Sequence, residues 1–148
     1  MAAATFNIKD QVPQGRQQNS RRVELHYHLD FNTLGDGTGL ATTESAEFAD
    51  LPAGFVYERH DSILRTAEGT AATADFGTEA DTDGFNDGAD MNGTPNAFVA
   101  RAGTESIVAG TYFHTTTPVR VTAGAATLDD AIIDVTFVGY MVNTGLEK

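Results

Sequence analysis

The stretch from Phe76 to Gly93, FGTEADTDGFNDGADMNG, carries Glu79, Asp81, Asp83, Asp87 and Asp90 with no lysine or arginine among them. Carboxylates at this density are the raw material of a calcium site, because the ion takes about six to eight oxygen ligands and glycines let the backbone wrap around it. Asp81, Asp83, Asp87 and Asp90 are the candidate ligands. Their spacing departs from the EF-hand loop, which sets oxygen donors at alternate positions, follows them with a glycine and closes on a glutamate at its twelfth residue. Counting from Asp81, Asp83 fits, but Phe85 stands at the next donor position, Asn86 in place of the glycine and Asn92 in place of the closing glutamate. The expected state is a solvated connection whose Asp and Asn side chains bond their own backbone, with a bound calcium as the alternative.

His26 and His28 form the second constellation. At strand period they share one face with Glu24 and Asp30, and a His-x-His pair can begin a transition-metal site. The third ligand is missing: Asn32 and Thr33 stand where a cupin-like strand would supply a glutamate. An exposed strand face is therefore expected. His60 and His114 are isolated. None of Ser20, Ser45, Ser62 and Ser106 lies in a G-x-S-x-G context, and no phosphate-binding glycine loop occurs. Acid pairs such as Asp129 with Asp130 are common on an acidic surface and do not define a glycosidase cleft. The sequon Asn92-Gly93-Thr94 is read as chance. No catalytic activity and no resident cofactor are expected.

The elements that carry these residues are strands. In RVELHYHLDF, from Arg22 to Phe31, apolar Val23, Leu25, Tyr27, Leu29 and Phe31 alternate with polar neighbours, the period of a half-buried strand. NTLGDGTG is a glycine-rich turn. Strands are expected over 40–48, 55–66 and 70–76, with Glu68 and Gly69 turning between the last two. Short apolar segments follow at 97–101 and 106–109, and a threonine-rich aromatic one at 111–117. PVRVTAG alternates after a proline at its edge, and AIIDVTFVGYMV is apolar on both faces, as a central strand must be. LDDAIID is the one candidate for a helical turn. Short strands set among 15 glycines predict an all-β chain, an antiparallel β-sandwich or jelly roll.

The chain has 148 residues, the usual size of one domain, with no cysteine and a net charge of -12. Disulfides and thiolate metal sites are excluded, and the acidity argues against nucleic acid as a partner. MAAATFNIKD lacks the basic start and apolar run of a secretory leader, and no apolar stretch is long enough for a membrane helix, so a soluble protein made in the cytoplasm is expected. The charge is uneven: residues 1–22 hold Lys9, Arg16, Arg21 and Arg22 against Asp10 alone. Residues 1–22 therefore read as an extended basic arm on an acidic β-sandwich domain spanning 23–148, with Phe6, Ile8, Lys9, Arg16, Arg21 and Arg22 as its binding residues.

From Leu51 to Val142 the order of segments is similar to a layout found in small virion structural proteins of tailed bacteriophages. LPAGFVYE leads into an alternating strand, FGTEADTDGF follows, and AGTYFHTTTPVRVTAGAATLDDAIIDVTFVGYMV closes with a threonine-rich strand, small residues and a long β-branched strand. The resemblance implies a head decoration, or cement, protein located on the capsid surface of the virion. It implies the major capsid protein as partner, a homo-oligomer with a trimer favoured, and no catalysis. A tail or adhesin component of the virion is one alternative. A calcium-dependent carbohydrate-binding sandwich using the Asp81 to Asp90 stretch is another.

Overall fold

The computed structural model describes residues 20–99 and 105–142. Nine strands build it, with two short 3₁₀ turns and no α-helix among the described residues. β1 (Ser20–Asp30), β9 (Ile132–Val142) and β3 (Phe55–Thr66) lie side by side, and the short strands β6 (Ala97–Phe98) and β7 (Tyr112–Phe113) pair with opposite ends of β3. The second sheet runs β2 (Ser45–Leu51), β8 (Thr117–Ala123), β4 (Thr73–Gly77) and β5 (Asn86–Asp90). All pairings are antiparallel. If β6 and β7 are taken as two pieces of one interrupted strand, this is the eight-strand jelly-roll order, in which the first and last strands are neighbours.

The alternation read from the sequence explains the layers. Leu29 of β1, Ile133, Val135 and Phe137 of β9 and Phe55, Tyr57 and Leu64 of β3 point inward and are almost fully buried. They meet Leu51, Phe76, Val119 and Val121 from the other sheet. Aromatic rings bridge the layers: Phe85 lies 5.1 Å from Tyr57 and 5.2 Å from Phe137, centroid to centroid. Each such side chain removed from water contributes roughly 1.5–3 kcal/mol. β9 is central because β1 and β3 flank it, as its two apolar faces require.

Four expectations are revised. The strand expected over 40–48 begins only at Ser45, because Ala41 to Glu44 form a turn in which Glu44 N–H donates to Ala41 O (2.9 Å) and Thr43 takes a φ of 74°. Leu40 instead makes an isolated bridge with Leu128. The acidic stretch is not one long connection, since its second half is β5, an edge strand that hides only Asn86 and Ala89 and so lacks a legible apolar face. LDDAIID forms no helical turn; the N–H groups of Asp129, Asp130 and Ala131 are turned onto the Glu68 carboxylate. β1 begins at Ser20, so Arg21 and Arg22, assigned to the arm from sequence, are strand residues.

Candidate functional site

The outer face of the five-stranded sheet gathers the side chains best able to interact. β1 presents Arg22, Glu24, His26, His28 and Asp30, and its unbroken register with β9 sets His26 opposite Thr136 and His28 opposite Asp134. His26 Nδ1 lies 2.9 Å from Thr136 Oγ1, and His28 Nδ1 lies 2.7 Å from Asp134 Oδ1. Arg65 Nε donates to the other oxygen of Asp134 at 2.7 Å. The Arg65 hydrogen bond first, and then that of His28, hold the Asp134 carboxyl below the ordinary carboxylate range. Arg22 meets Glu58 at 3.0 Å and Arg59 meets Asp61 at 3.2 Å, so the charges on this face are largely matched.

A register shift between Tyr57 and Arg59 decides which β3 residues join this face. The extra residue changes the parity of the strand, so Tyr57 and His60 both point inward although three positions separate them. His60 is buried, with Nδ1 2.9 Å from the Tyr57 hydroxyl. Beyond the bulge, Asp61, Ile63 and Arg65 turn outward and, with His26, His28 and Asp134, line a shallow hollow of about 310 Å³. Phe98 of β6 pairs with Ile63 and is 71% exposed. Arg65 and Asp134 were not legible as partners of the histidines, because only the strand register brings them together.

The acidic candidates divide. Asp81 lies in the turn between β4 and β5, where its carbonyl accepts from the N–H groups of Thr78 (2.8 Å) and Gly84 (3.2 Å) and its carboxylate accepts from the Ser106 hydroxyl. Asp83 is raised above the ordinary carboxylate range, chiefly by its hydrogen bond to the Asp81 side chain, with the Asp81 and Asp87 charges adding to the effect. Asp90, at the far end of β5, accepts from Asn92 N–H at 2.9 Å, and the extended chain between Asp87 and Asp90 separates them by about 10 Å. Among the described residues, Glu68, Asp129 and Asp130 are the one acidic or histidine group with ligand atoms all within 4.8 Å of one another. The Glu68 oxygens are committed there to backbone N–H groups. Of the arm residues, Arg21 and Arg22 open β1, while Phe6, Ile8, Lys9 and Arg16 lie outside the described residues.

The jelly roll has a solved counterpart. The chain is similar to a chain of the cyanophage Pam1 capsid asymmetric unit, at 17% identity and a TM-score of 0.59, over 83% of this chain and 86% of that one. A chain of the acidic stable capsid structure of Helicobacter pylori bacteriophage KHP30 aligns at 10% identity and a TM-score of 0.47, over 82% and 92% of the two lengths. No protein-family model and no curated protein matches the sequence. The Pam1 likeness concerns the fold.

Proposed function

We propose that the chain is a bacteriophage virion structural protein that decorates the capsid, binding capsid subunits through its N-terminal segment and sheet edges and performing no catalysis. The observation that carries this reading is the likeness of the jelly roll, over most of both lengths, to a chain of a phage capsid asymmetric unit. Its surface agrees: the polar groups of the outer sheet face are engaged with one another as ion pairs and hydrogen bonds, as suits a docking face more than a reaction centre. The segment before β1, with Lys9 and Arg16 against Asp10 alone where the rest of the chain is acidic, is assigned the anchoring role on a neighbouring acidic capsid surface. The major capsid protein is the partner in this reading, the virion surface is the location, and the host cytoplasm is the place of synthesis.

The test is binding to particles that lack the protein. The full chain is expected to bind them, and a chain lacking residues 1–19 is expected to keep its folded β spectrum and lose binding. Equal binding by the shortened chain would refute the role of the arm. Failure of the full chain to bind capsids, or its location on tails alone by immunogold labelling, would refute decoration.

A further inference from the structure

The edges of the two sheets are not equally protected. A free strand edge offers unpaired N–H and C=O groups to any other strand, and folded proteins commonly blunt it with short strands, bulges or proline. β6 and β7 have 2 residues each. β2 is interrupted by a register shift between Glu47 and Ala49. β5 has 5 residues and is irregular opposite Ala74 to Phe76. β1 is the exception: 11 residues long, without proline and in unbroken register with β9, it has no strand on its other side among the described residues.

The order of side chains along β1 says what fits there. On the outward face the strand reads Arg22, Glu24, His26, His28, Asp30. A second copy of β1 running antiparallel about a twofold axis at His26 sets Arg22 against Asp30 of the second copy and Glu24 against its His28, each pair occurring twice. On the inward face it sets Val23 against Leu29 and Leu25 against Tyr27. Neighbouring registers do worse. Centring on Leu25 keeps Glu24 against a histidine, His26, but sets Arg22 against His28 in place of Asp30, and centring on Tyr27 opposes Glu24 and Asp30, both acidic, and sets Arg22 against Asn32. Beside this edge, Tyr27, Glu47, Phe48, Ala49 and Asp50 line an open hollow of about 400 Å³, which a copy seated on β1 would face.

We propose that the free edge of β1 pairs with β1 of a second copy, in the register centred on His26, to make one continuous sheet through a twofold dimer. Pairing supplies on average one backbone hydrogen bond per residue, and the side-chain order selects the register. The contact is isologous, so it closes at two copies and does not propagate. A pair, in place of the trimer implied by resemblance, is then the unit of assembly. The proposal does not rest on capsid binding.

The experiment is light scattering and sedimentation of the full chain, with hydrogen exchange at β1. The expected mass is twice the 15.7 kDa of one chain, with the β1 amides protected. Arg22→Asp alone and Asp30→Arg alone each oppose like charges twice and are expected to weaken the dimer roughly tenfold. An equimolar mixture of the two variants restores both opposed pairs in the mixed dimer and is expected to recover the affinity. A monomer with exposed β1 amides, a monomer whose β1 amides are covered by its own N-terminal residues, a trimer, or variants that do not complement each other would each overturn the proposal.

Discussion

Replacing Glu68 by alanine tests how the connections at one end of the jelly roll are tied together. Glu68 is 3% exposed, and its carboxylate accepts from the N–H groups of Asp129 (3.1 Å), Asp130 (3.1 Å) and Ala131 (2.9 Å), just before β9 begins. Its own N–H donates to Met91 O at 2.8 Å, so one residue joins the β3–β4, β5–β6 and β8–β9 connections. In Glu68→Ala the buried Ala131 N–H loses its partner, at a cost of about 1–3 kcal/mol. The half-buried N–H groups of Asp129 and Asp130 regain water and cost about 0.5 kcal/mol each. Against this stands relief of repulsion from the Asp129 and Asp130 carboxylates, at most about 1 kcal/mol each in solvent-screened surroundings. With the void left by the side chain, the net loss is about 3 kcal/mol, which lowers Tm by roughly 6–12 °C at this chain length. Urea unfolding at neutral pH measures it, and Glu68→Gln, which keeps one acceptor oxygen, is expected to lose about 1 kcal/mol. An alanine variant within about 0.5 kcal/mol of the parent, or a glutamine variant more stable than the parent, would show that repulsion outweighs the hydrogen bonds and refute the reasoning.

Gly139→Ala should destabilise the chain by more than about 2 kcal/mol, because an added Cβ would lie 2.1 Å from Val56 O and 2.7 Å from Phe55 Cζ; urea unfolding that shows no loss would mean β9 can move away from β3. The Asp134 carboxyl is held below its ordinary range, so its contribution is present above the unfolded pKa and is lost as pH falls through the folded one. Melting temperatures across the acid range should therefore fall less steeply for Asp134→Asn than for the parent, and identical acid slopes would count against the Arg65 and His28 contacts. Calorimetric titration with calcium should give no saturable heat, since the extended chain between Asp87 and Asp90 holds those carboxylates about 10 Å apart; binding lost on replacing Asp81 and Asp83 by alanine would reverse that expectation.

The sequence displays its architecture where one face of a strand is apolar. The alternation from Val23 to Phe31 and the bounds Phe55 to Thr66 correspond closely to β1 and β3, and the doubly apolar run ending at Val142 is the central strand β9. It hides what depends on pairing. β5 carries mostly polar residues because it is an edge, so its stretch reads as a polar excursion. The bulge at Glu58 and Arg59 leaves no mark in composition, yet it makes the isolated His60 a core partner of Tyr57. Glu68, expected in a turn beside Gly69, is the buried clasp of the β8–β9 connection, and the donors its carboxylate accepts from can be recognised only once Asp129 to Ala131 are beside it in space. The candidate surface divides in the same way: His26 and His28 on one face were legible, whereas Arg65, Asp134 and Ile63 reach them through strand register.

Quantitative mass spectrometry of gradient-purified phage particles assembled in the presence of the chain tests the proposed decoration most directly. Decoration predicts that the protein stays with intact particles at a fixed ratio to the major capsid protein, with cryo-electron density for the jelly roll on the outer capsid surface. Particles that carry the major capsid protein and none of this chain would contradict it.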